Sequence, residues 1–462
     1  MNFARAMSSY AILVFFSLFV YLNTINIEGS HGFVFLFAGM AVYGILIVIS
    51  GNLSNFLMWR IPAIFLATFF IYFATKLYVE SGTTWEVRRH MLSTTSGVLL
   101  TFIMGLMVSQ ALSAIYDLRK DTQSSAVLYL MTTLYGILVL VFALLVFFAN
   151  RENVSSDVFR TEELVGYQRV GDYFSLQFLA LAALVCVIAV TSKRDGARLL
   201  LIPSLILMAA CGIFAFTSQL LGSNKGFVVP IGILFIYFAV IFAAPASGTR
   251  VRRTSILNIL LSGMVFKLLF ASLIGLVLVV VLGGTVLQIL GIDADALRIT
   301  GFGTGEVTSV TGRSELFSRN FMLHFAHSPI FGNTQVHLLT TGEGTYVHST
   351  LSVLTHLGVV GFVIFLCILV SIYLEISHSF IARHSSIYGN QTYGLFRLLC
   401  IFAVLTMGMF SAFFTWSPLW FSLGLFGNWY HQSRVNSQLF NKGTRSTKRR
   451  RHRRSRLAPA HK

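Results

Sequence analysis

Residues 346–361 read Y-V-H-S-T-L-S-V-L-T-H-L-G-V-V-G, and the apolar run they open continues to residue 376. A run of that length, with its one acid (Glu375) at the far end, is long enough to cross a bilayer as a helix. Just ahead of it, residues 312–333 read G-R-S-E-L-F-S-R-N-F-M-L-H-F-A-H-S-P-I-F-G-N. That segment is polar and holds Arg313, Arg319, His324 and His327. The fold follows from this alternation: long apolar helices, interrupted by one long polar connection.

Working outward, the same apolar length recurs. Runs at 9–27, 31–50, 56–79, 95–115, 126–149, 173–192, 198–217, 226–245, 262–290, 348–376, 394–414 and 416–430 give about twelve transmembrane helices. The chain is 55% hydrophobic and 11% charged, with mean hydropathy +0.76. A soluble domain carries about 25% charged residues, so the expected class is an all-α integral membrane protein. The first run has only Arg5 before it and no small-residue cleavage site, so it is read as a retained helix. Trp416 and Trp420 are expected to anchor the last helix at an interface. The four cysteines lie in apolar runs and read as packing residues.

The organisation expected is helices one to nine over 1–290, an extracytoplasmic loop over 291–347, three helices over 348–430 and a basic tail over 431–462. Net charge is +17, concentrated in the tail, which suits anionic lipid rather than nucleic acid. With the N-terminus cytoplasmic, the inner side collects Arg119, Lys120, Lys193, Arg194, Arg198, Arg250, Arg252, Arg253, Arg383 and Arg397. The connection at 291–347 then faces outward. Within it, Gly312 and Ser314 start a helix and Ser328-Pro329 stops it. On that helix Arg313, Phe317, Asn320, His324 and His327 share a stripe. Lys225 opens another membrane helix on the same side, where N–H groups favour an anion. His324 and His327 have no evident carboxylate or cysteine partner for a metal site, and Gly301–Gly305 lacks the context of a phosphate loop.

These residues resemble the O-antigen ligase and O-antigen polymerase superfamily. The match lies in G-R-S-E-L-F, S-P-I-F-G-N, Y-V-H-S-T-L and L-G-V-V-G, with Asn224-Lys225-Gly226 similar to the family's Ser-Arg-Gly. Three features depart from the family pattern. Lys225 replaces arginine, Ser349 stands where asparagine is commoner, and the spacing from His348 to Gly358 is one residue shorter. The resemblance implies a GT-C-type glycosyltransferase of the bacterial inner membrane with its active site facing the periplasm. Its donor would be an undecaprenyl-diphosphate-linked glycan, and its acceptor a sugar hydroxyl on a lipid-linked repeat or on lipid A core. No cofactor or metal is expected, and the reaction would invert the anomeric centre. His348 would act as base and Arg313 would bind the diphosphate, with Lys225, Arg319, His324 and His327 binding substrate. Polymerase is the leading reading, ligase the alternative, and a lipid-linked-sugar flippase the distant one. The topology predicts that an Arg252→Cys variant in intact cells escapes an impermeant thiol reagent and reacts only after permeabilisation; labelling without permeabilisation would overturn it.

Overall fold

The computed structural model describes residues 2–25, 32–50, 61–80, 85–118, 125–149, 166–192, 198–220, 223–243, 308–342, 347, 349–382, 390–411 and 414–427. Among these, every regular element is a helix. They are α1 (Asn2–Ile25), α2 (Gly32–Ser50), α3 (Ile61–Glu80), α4 (Trp85–Leu118), α5 (Ser125–Ala149), α6 (Gly166–Ser192), α7 (Arg198–Leu220) and α8 (Asn224–Ala243). After the polar connection come α9 (Thr308–His327), α10 (Val336–Thr340), α11 (Ser352–Ala382), α12 (Gln391–Ser411) and α13 (Ser417–Phe426). Eight of them (α1, α3–α7, α11 and α12) are long and apolar enough to cross a membrane. Three shorter apolar stretches, in α2, α8 and α13, fall on three further expected spans. The span expected at 262–290, Lys267 within it, Gly301–Gly305 and the basic tail lie outside the described residues.

α6 is the axis of the bundle. Its span Val170–Thr191 is 94% buried, because a sequence apolar on all sides finds neighbours all round. The other long helices keep apolar side chains on the outer surface, such as Ile71 on α3 and Leu130 on α5. Glycines allow a close crossing of α4 and α13. A Cβ on Gly105 of α4 would overlap Phe421 O and lie 2.8 Å from Leu425 N, and one on Gly424 of α13 would overlap Phe102 O. Two backbones can meet this closely only without side chains between them.

Some buried polar groups tie the helices together. Gln177 Nε2 donates to Ser17 Oγ and to Tyr135 OH, each at 2.9 Å, tying α6 to α1 and α5. Trp416 and Trp420 are both buried, at 4% and 0% exposure, so they are not interfacial anchors. Their indole N–H groups are spent inside, Trp416 on Asp172 Oδ1 and Trp420 on Phe414 O. Arg397 likewise is no loop cation. It is fully buried in α12, and its Nε and Nη2 both donate to Phe426 O, the carbonyl end of α13. A cation there complements the negative end of the helix dipole. The cysteines fit the sequence reading: all four are free thiols, and Cys186, Cys211 and Cys400 are buried.

The glycine crossing gives a stability prediction. Gly105→Leu forces α4 and α13 apart and should cost about 1–3 kcal/mol, seen as a lower unfolding midpoint in detergent. Gly97→Ala, on the same helix with nothing within 4 Å of its added methyl, should leave the midpoint unchanged or raise it slightly.

Candidate functional site

The site is built on the polar connection. α9 forms because its apolar residues recur at helical spacing and Pro329 ends it. Phe317, Phe321 and Phe325 stack at 4.9 and 6.4 Å between ring centroids. Asn320 and His324, one turn apart, are buried, and His324 Nε2 is 2.9 Å from Thr341 Oγ1.

After α9 the chain turns back on itself, and every carbonyl from Ser328 to Thr334 is engaged. Ser328 O accepts from Gly332 N at 2.8 Å, Pro329 O from Val359 N at 2.9 Å and Ile330 O from Val360 N at 3.1 Å. Phe331 O accepts from Tyr72 OH at 2.9 Å, and Gly332 O from Lys76 Nζ at 3.0 Å. Asn333 O accepts from Val336 N at 3.1 Å, and Thr334 O from His356 Nδ1 at 3.0 Å. Val359 and Val360 can donate outward because α11 is broken at Gly358, whose φ of 64° and ψ of −170° leave the helical region. Thr355 O, released by the same break, accepts from Asn333 N at 3.2 Å.

α3 supplies the other wall. Tyr72, Lys76 and Glu80 lie at i, i+4 and i+8 on one face. Glu80 pairs with Lys76 and accepts from both Thr334 N and Thr334 Oγ1 at 2.7 Å. Tyr72 OH is also 3.0 Å from Leu357 O, so one hydroxyl joins the turn to α11. His337 of α10 faces His356, their rings 5.9 Å apart. Because His356 Nδ1 donates to a carbonyl, its proton sits on that nitrogen and Nε2 carries the lone pair. Among the described residues, no group of three or more His, Cys, Asp or Glu could hold a metal ion.

A second convergence lies at the same end of the bundle. Lys225 Nζ stands 5.7 Å over the Trp416 ring, whose N–H donates to Asp172 at 2.6 Å. Lys225 and Asp172 also interact electrostatically. Gly408 is the floor: a Cβ there would lie 2.7 Å from Thr350 Cγ2 and 3.5 Å from Trp416 Cε3. Thr350 N donates to Gly408 O at 3.1 Å. Thr350 stands two residues after His348, and Val347 and Ser349 on either side of His348 are buried.

The sequence-expected residues are thus distributed as follows. Lys225 stands beside Trp416, next to the segment that carries His348; His348 itself lies outside the described residues. Arg313 is in the second turn of α9, and its side chain is likewise outside them. The stripe splits: His324 turns inward, whereas His327 and Arg319 are exposed. Sequence reading gave no role to Tyr72, Lys76, Glu80, Asp172, His337 or His356. The first three had a signal, a polar residue every four positions in an apolar helix. The histidines had none, because their meeting depends on how the connection folds back.

Compared with known proteins, the sequence matches no protein-family model and is similar to no curated protein.

Two imidazoles outside the spans set a pH dependence. Burial, with His337 nearby, holds His324 below the usual 6.5, and burial does the same for His337. The unfolded chain takes up protons that these rings refuse when folded, so stability is full above 6.5 and falls as pH drops below it. The unfolding midpoint should therefore fall between about pH 7.5 and about pH 5.5, and His337→Gln should flatten the dependence.

Proposed function

We propose that this chain is a membrane glycosyltransferase of the type its motifs resemble, the O-antigen polymerase and ligase superfamily. In this reading it moves a glycan from undecaprenyl diphosphate onto an acceptor sugar hydroxyl and so lengthens a surface polysaccharide. The observation that carries it is the convergence on Trp416 and Gly408: Lys225 on one side, and the segment flanking His348 on the other. The reaction needs a fixed cation and an imidazole at one place, and Lys225 and the residues on either side of His348 support that reading.

The chemistry follows from the groups. The bond from anomeric carbon to diphosphate oxygen breaks, and its electrons go to the diphosphate. Fixed cations at Lys225 and Arg313 stabilise that growing charge. Arginine meets two phosphate oxygens with its fork; lysine offers a point charge, which the Trp416 face and Asp172 hold in place. The acceptor hydroxyl gives its proton to neutral His348 as its oxygen attacks from the opposite face, so the anomeric configuration inverts. The compartment outside the membrane supplies no nucleotide, and the donor diphosphate is the activated bond.

The test measures donor-lipid binding and polymer formation for purified variants, and surface polysaccharide on gels from a complemented deletion strain. Arg313→Ala should lower turnover about 100- to 1,000-fold, the loss seen when one transition-state contact is removed. Arg313→Lys should recover part of it. His348→Ala should abolish turnover and keep donor binding. Near wild-type turnover in His348→Ala would defeat the mechanism. A deletion strain with normal polysaccharide length and attachment would defeat the assignment.

A further inference from the structure

The turn Ser328–Asn333 belongs to a connection that its composition places in water, yet its bonds place it lower. Glu80 ends α3, and Tyr72 lies two turns before it, about 12 Å along the axis. The chain bonds down this ladder: Thr334 at Glu80, Gly332 at Lys76 and Phe331 at Tyr72. α11 repeats the descent. Thr334 meets His356, and Pro329 and Ile330 meet Val359 and Val360, about 10 Å past Ser352. Both registers fall inside membrane-spanning segments, Pro62–Glu80 and Ser352–Ser377. Two helices therefore report one depth independently.

The carbonyls of the turn are also met as those of membrane-embedded backbone must be, and Gly332 N, Asn333 N and Thr334 N donate within the chain. Irregular chain survives at that depth only when the protein itself meets its polar groups. Here seven consecutive carbonyls, from Ser328 to Thr334, each accept a bond from this chain. A solvent-facing turn has no need of such completeness. At its tip, Ile330 and Phe331 are 60% and 56% exposed. At comparable depth, Ile71 on α3 and Val359 and Val363 on α11 are exposed apolar residues too.

We propose that Ser328–Asn333 is a re-entrant turn, and that Ile330 and Phe331 are seated among the acyl chains of the leaflet on the loop side. The exposed tip continues the apolar outer surface of α3 and α11, so the bilayer that covers those helices covers it. The turn anchors the whole connection: it fixes α9 and α10 at a set height above the hydrocarbon, whatever substrate they meet.

The test introduces tryptophan at the tip. Phe331→Trp, in the full chain reconstituted into phosphatidylcholine vesicles, adds emission above that of the five native tryptophans. The added emission should be blue-shifted, lose most of its intensity when the lipids carry bromine midway along their acyl chains, and resist aqueous iodide. Quenching by iodide, or by neither agent, would overturn the proposal. Ile330→Trp provides the same readout should the first variant fail to assemble.

Discussion

The connection can seat itself because two glycines face each other. Gly332 and Gly358 have φ of 68° and 64°, in the left-handed region that favours glycine. A Cβ on Gly332 would lie 2.5 Å from His356 C, and one on Gly358 would lie 2.5 Å from Ile330 C. The turn thus fills the space a side chain would occupy at the break, and the break releases the donors the turn needs. Neither conformation is sustained alone. A kinked helix in a membrane leaves N–H groups unmet, and a turn at that depth leaves carbonyls unmet. Paired, each supplies what the other lacks, and the positions of α10, His337 and His356 follow.

The same rule of local compensation governs the charges. Lys76 is matched by Glu80 one turn away, Lys225 stands over Trp416 near Asp172, and Arg397 closes the carbonyl end of α13. α13 has ten residues, about 15 Å, and stops short of the roughly 30 Å a hydrocarbon core requires. Its end therefore lies inside the protein, where a guanidinium replaces the water that a surface helix end would use. Among the described residues, Lys76, Glu80, Asp172, Lys225, His337 and His356 gather at one end of the bundle.

Much of this was legible in the sequence, because the bilayer imposes length. Runs such as 126–149 and 348–376 could only be membrane helices, and Pro329 marked the end of α9 to within two residues of His327. What could not be read is what the connection does in three dimensions. His324 and His327, three apart, share a stripe on paper, yet the descent of the chain past Pro329 buries one and leaves the other in solvent. Trp416 and Trp420 look like interfacial residues by composition, but α13 is short and is enclosed by α4, α6 and α12, so both rings end up inside. The break at Gly358 left no local trace beyond the glycine itself, because its cause, the turn, lies more than twenty residues earlier.

The bonds from α3 to the turn have a consequence for how the protein is made. Tyr72 and Phe331 are separated by 259 positions, so α3 enters the bilayer long before its partner has been synthesised. During that interval the ladder of Tyr72, Lys76 and Glu80 has nothing to hold. Because Lys76 and Glu80 pair within one helix, they neutralise each other without help and make the wait tolerable in a nonpolar solvent. The strip is a socket assembled early and filled late. The seating of Ser328–Thr334 therefore waits until α11 has followed it out of the ribosome, because Val359 and Val360 supply two of its bonds.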